Sequence, residues 1–175
     1  MTMHILTVNL LFSTLVFWVA ARLYVLPRLN QLSAQTILLP ILLLHSFRHL
    51  GLMFLFPGAT YPGLPPQFAY PAAVGDLIAA VLALAAIAPV ARGMNGARYL
   101  VWTFNVEGTV DLLAAIGLAT FYGAAPFMGP AYWIPAFWVP ALLVTHGITF
   151  VILWRYGAPH STMRFRSGAP LYHLV

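Results

Sequence analysis

The chain has no cysteine and no lysine, and only three acidic residues among 175. Without thiols there is no disulfide framework, no thiolate nucleophile, no iron–sulfur cluster and no haem attached through CxxCH. Without lysine there is no Schiff base to retinal or pyridoxal. A phosphate loop, an HExxH zinc-protease signature, a GxSxG elbow and a dinucleotide fingerprint are also missing. Charged residues make up 6% of the chain, against about a quarter in a soluble domain. What is abundant is apolar: 62% of the residues are hydrophobic. So little charge cannot cover a folded surface in water, and the composition points to an integral membrane protein. The isoelectric point near 10.0 does not point to nucleic acid, because the positive charges stand in ones and twos at the ends of apolar segments.

Five apolar segments of spanning length follow one another, at about 4–26, 36–56, 72–91, 99–122 and 132–156. They predict an all-α, five-helix membrane bundle in a single domain, with a tail over 157–175. Arg22 and Arg28 follow the first segment, Arg92 and Arg98 separate the third and fourth, and Arg155, Arg164 and Arg166 follow the fifth. With five spans all seven fall on one side, so the N-terminus is expected outside and the C-terminus in the cytoplasm, in a bacterial cytoplasmic membrane. Met1 to Val16 lacks a positive n-region, so the first segment is expected to persist as a helix. On the other side, Pro57 to Pro71 reads as an ordered, proline-rich cap rather than a helix, and Gly123 to Ala131 is similar. Pro135 and Pro140 should bend the start of the fifth segment. The tryptophans lie mainly near segment ends, where interfacial anchors lie.

The informative residues are those that lipid disfavours. The second segment contains His45-Ser46-Phe47-Arg48-His49, the fourth carries Asn105, Glu107 and Asp111, and the fifth holds His146 between Thr145 and Thr149. Asp76 follows Gly75 near the start of the third. Each such group costs several kcal/mol in a membrane unless it faces protein or water and finds a partner. From the helix rise, His45, Glu107 and His146 lie about 12–13 Å from the arginine-flanked ends, and His49 and Asp111 about 18–20 Å, with Arg48 beside them. His45 and His49 share an α-helical face at i,i+4, as do Glu107 and Asp111. Gly108 and Ala115 permit close helix approach.

Three chemistries use such a set. The first is a divalent metal, zinc or iron, held by His45, His49, His146 and Asp111. Glu107, Asp111 and Arg48 would then act on a membrane-soluble, lipid-like substrate if the protein is an enzyme. The inventory of three histidines, an aspartate and a serine is similar to that of intramembrane zinc hydrolases of the ceramidase and adiponectin-receptor type. Those have seven helices and another ligand order, and no family membership follows. The second chemistry is a b-type haem between His45 and His146. The third is proton or ion transfer along the carboxylates and histidines. Beside these stands a structural reading, in which Arg48 neutralises Asp111 or Asp76 and the histidines bond across helices. The protein would then be an accessory subunit of a homo-oligomer or larger membrane complex. Asp76 alone reads more readily as a helix N-terminal carboxylate. His4, His160 and His173 are expected to carry nothing.

Overall fold

A computed structural model describes residues 5–155. The expected tail over 157–175, with Arg164, Arg166, His160 and His173, lies outside the described residues, as does His4. The described part is all-helical in its regular elements, with five spans long and apolar enough to cross a membrane. Helix α1 (Ile5–Ala20) continues through a π-helical turn (Ala21–Val25) and a short 3₁₀ turn (Leu26–Arg28). Helix α2 (Ala34–Ser46) is capped by the Ser33 hydroxyl, which accepts from Thr36 N–H at 3.1 Å. It runs on as a 3₁₀ segment over Phe47–Leu55. Helices α3 (Pro66–Ala91) and α4 (Ala97–Phe121) form an antiparallel pair closed by a short turn. Helix α5 (Val139–Arg155) follows a π-helical turn at Ile134–Trp138 that contains Pro135.

Helix α3 is built on small residues. Ala72, Asp76, Ala79, Ala83, Ala86 and Val90 are all buried, at alternating spacings of four and three. Leu77, Ile78, Val81 and Leu84 point outward and are exposed. This inverts the pattern of a soluble helix: bulk faces the surroundings, and alanine lets neighbours approach closely. The main packing partners of α3 are α4, α2 and the 3₁₀ segment, which make it the central helix. Helix α1 sits apart, against α5 and the π-helical turn.

Two boundaries differ from expectation, each for a local reason. Helix α3 begins at Pro66 rather than Ala72. Pro66 occupies the first turn, where a missing N–H costs nothing, and the preceding Pro65 is extended. Only the earlier part of the Pro57–Pro71 stretch is therefore cap. The second difference is the 3₁₀ segment, where α-helix was expected. With three residues per turn it aligns His45, Arg48, Gly51 and Phe54 on one buried line.

The cap closes one end of the bundle. Tyr61 N–H donates to the Phe127 carbonyl and Ala131 N–H to the Ala59 carbonyl, both at 2.9 Å, joining the two proline- and glycine-rich connections. Gly129 adopts φ +51°, and an added Cβ there would lie 3.2 Å from Tyr61 N, so the crossing requires glycine. At the opposite end stand Arg22, Arg28, Arg92, Arg98 and Arg155, and Arg155 donates to Asn30 Oδ1 at 3.2 Å.

Ala83→Leu forces a branched side chain into the centre of α3 and is expected to cost about 1–3 kcal/mol. Leu84→Ala, on the outward face, is expected to stay within about 0.5 kcal/mol. Thermal unfolding of the purified variants checks both.

Candidate functional site

Arg48 is the centre of the polar interior and is only 1% exposed. Its Nε donates to Asp76 Oδ1 at 2.8 Å, and its Nη2 to Asp111 Oδ2 at 2.6 Å. Its Nη1 donates to the Gly108 carbonyl at 3.1 Å and lies 3.3 Å from His146 Nε2. One side chain from the second span thus grips α3, α4 and α5. The planar, always-charged guanidinium suits this task, because its fixed fork of donors meets several acceptors at once.

The histidines form a second tier. His146 Nε2 faces the Arg48 donor and must accept, so its proton sits on Nδ1, 2.7 Å from Asn105 Oδ1. Asn105 Nδ2 in turn donates to the His146 carbonyl at 3.3 Å. His45 Nε2 lies 2.8 Å from Thr145 Oγ1, whose own hydroxyl points at the Ala141 and Leu142 carbonyls. Thr145 therefore accepts, and His45 Nδ1 is left buried without a hydrogen-bond partner. The His45 and His146 rings touch edge to face, with centroids 4.3 Å apart.

Three glycines make this packing possible. A Cβ on Gly51 would run into Asp76 Oδ2, and one on Gly75 into Asp111 Oδ1. On Gly108 it would lie 2.6 Å from Arg48 Nη1 and 2.7 Å from His146 Cε1. Each glycine belongs to a different span, so the polar groups fill the spaces where side chains are missing.

The expected residues fare differently. His45, Arg48, Asp111 and His146 come together, and Asp76 joins them because the early start of α3 places it well inside the helix. His49 is exposed, with Nδ1 2.9 Å from the Ser46 carbonyl. The 3₁₀ winding turns it away from His45, whose face an α-helix would have shared. Glu107 is half-buried, and its Oε2 is enclosed without a partner. Among the described residues no three His, Asp or Glu side chains gather as a metal-binding group. The expected His45–His49–His146–Asp111 set is not formed, since Arg48 takes Asp111 and both His146 nitrogens are engaged. The His45 and His146 rings, the pair expected to flank a porphyrin, are in contact with each other.

Sequence reasoning missed the cavity beside this cluster. It is a partly open space of about 960 Å³ between the first half of α1, the cap-side parts of α3 and α4, and the approach to α5. Its walls are Leu6, Leu10, Leu112, Ile116 and similar groups, and among the described residues Asp76 is the one carboxylate lining it. Ala115 and Ala119 line it at helical spacing, which leaves width where larger residues would close it. Cap residues Gly123, Ala125, Pro126 and Met128 also line it. No single segment carries a signal for such a space; it arises because α1 leans on α5 instead of on α4.

Gly51→Ala is expected to lower stability by about 1–3 kcal/mol through its clash with Asp76. The control Gly117→Ala, which meets nothing within 4 Å, should be neutral or gain up to about 1 kcal/mol of helix propensity. Melting temperatures of the two variants, measured side by side, check this.

No curated protein and no solved structure matches the chain. A family model described as "Domain of unknown function (DUF8737)" matches residues 5–154, and the chain belongs to that family.

Proposed function

We propose that the protein is a multi-pass membrane protein that binds a membrane-soluble, lipid-like molecule in the cavity between α1, α3 and α4. The observation that carries this reading is an apolar space of about 960 Å³ with one carboxylate, Asp76, on its wall. Small-molecule sites share this form, with a mostly apolar lining of roughly 300–1,000 Å³ and few polar groups to orient the ligand. The cap covers one end of the bundle, and no residue of α1 is buried. Entry is then sideways from lipid, past α1, rather than through water. Leu6 and Leu10 of α1 form the outer wall, opposite Ala115 and Ala119 of α4.

A photoactivatable hexadecyl diazirine tests this. Adducts are expected on Leu10, Ala115, Ala119 and Met128, and Ala115→Trp should abolish them while adducts at the exposed Leu113 persist. Adducts confined to Val110 and Leu113 would overturn the reading.

The orientation belongs to the same proposal: N-terminus outside, C-terminus cytoplasmic, in a cytoplasmic membrane. Arg22, Arg28, Arg92, Arg98 and Arg155 support it, all at one end of the described spans. Because the chain has no cysteine, a single introduced thiol reports without background. Tyr61→Cys, on the cap, should react with an impermeant maleimide on intact cells, and Met94→Cys only after lysis. Both residues are exposed.

A second reading draws on the Arg48 contacts themselves. A guanidinium bonded to α3, α4 and α5 holds the bundle together whether or not a ligand is present. The two readings are compatible, with the ion cluster forming the scaffold and the cavity taking the ligand.

A further inference from the structure

We infer that the ligand of this cavity is a cationic amphiphile, an apolar body bearing one ammonium-type head that seats against Asp76. This rests on the cavity reading above and specifies its chemistry. The first argument is which groups the cavity presents. Among the described residues Asp76 is its one carboxylate and no arginine or histidine lines it; Arg48, the cation that holds Asp76, is 1% exposed and does not face it. Arg48 is further committed by donation to Asp76, Asp111 and the Gly108 carbonyl. An anionic head would therefore meet a carboxylate edge and find no free cation behind it.

The second argument is charge. Asp76 and Asp111 both pair with Arg48, and Glu107 stands near them with its Oε2 enclosed and unpartnered. Two carboxylates thus share one guanidinium, and among the described residues the spans contain no other arginine away from their ends. The imbalance favours an incoming positive charge over a neutral or negative one, most strongly where the surroundings are apolar and screening is weak. An alcohol of equal length satisfies the carboxylate by a hydrogen bond but leaves this imbalance untouched.

The third argument is shape. Apart from Asp76 the lining is mostly apolar, with Leu6, Leu10, Leu112 and Ile116 among it, so a body attached to the head contacts hydrocarbon along its length. The Tyr132 hydroxyl accepts from Asn9 Nδ2 at 3.1 Å, and Tyr132 also lines the space. This joins α1 to the approach to α5 beside the cavity. A single-chain amphiphile fills such a volume with its head at one wall.

The test is competition against the photoactivatable hexadecyl probe, with wild-type protein in phosphatidylcholine nanodiscs. Dodecyltrimethylammonium, dodecanol and dodecanoate are compared at equal mole fraction in the disc. The cation is expected to suppress labelling at Ala115 and Met128 at a concentration about tenfold below the alcohol, in line with one ion pair in a weakly screened site. Asp76→Asn, which keeps a hydrogen-bonding side chain next to Arg48, should bring the cation-to-alcohol ratio close to one. Equal potency of cation and alcohol on wild type, or dodecanoate as the strongest competitor, overturns the cationic assignment and leaves the cavity reading standing. Failure of the probe to label the cavity at all overturns the cavity reading instead. The wild-type series decides even if Asp76→Asn does not fold.

Discussion

The bundle depends on one buried guanidinium. Arg48 sits among four spans, and its donors meet a carboxylate from α3, a carboxylate and a backbone carbonyl from α4, and an imidazole from α5. In a non-polar surrounding the alternative to these contacts is an unpaired charge, and removing one partner of a buried ion pair typically costs about 3–5 kcal/mol. The directional demand of the guanidinium therefore fixes how the spans rotate about their axes. Apolar packing alone specifies rotation weakly when every face is hydrophobic, as here. The three glycines under the cluster follow from this: each marks a place where the polar groups need the volume that a side chain would occupy.

That constraint acts on the second to fifth spans and leaves the first outside it. Helix α1 contributes no group to the ion cluster and packs against α5 and its π-helical entry. The polar link recorded from α1 to the cap-side part of the bundle is Asn9 to Tyr132. A space lined by both α1 and α4 is the geometric result. The π-helical turn at Ile134–Trp138 contributes as well, because Ile134 and Pro135 line that same space. Rigidity at the ion cluster and looseness at α1 are thus two sides of one packing arrangement.

Much of this was legible in the residues, and the gaps have physical causes. The five spans follow from length and hydropathy, since lipid imposes a single requirement on a long apolar run. The convergence of His45, Arg48, Asp111 and His146 followed from depth along each span, which a regular helix rise fixes well. Rotation was harder to read. His49 was placed beside His45 on the assumption of 3.6 residues per turn, and the run Phe47–Leu55 winds at three. The buried series His45, Arg48, Gly51, Phe54 carried the clue, but a period of three stands out only once Arg48 is known to face inward. Asp76 was assigned to a helix start because Pro65, Pro66 and Pro71 read as breakers. The Pro65–Pro66 pair instead opens the helix, and Pro71 lies within it. The cavity had no local signature, because it is a property of where α1 does not pack.

The 3₁₀ stretch has one more effect, on height. Its span contains 22 residues, whereas those of α3 and α4 contain 26 and 25. Wound wholly as α-helix at about 1.5 Å per residue, the shorter span would reach only about 33 Å. Nine residues at about 2.0 Å each stretch it to about 37 Å, level with α4. A tighter coil is a longer one, and the second span, shorter than α3 and α4, reaches the cap by narrowing.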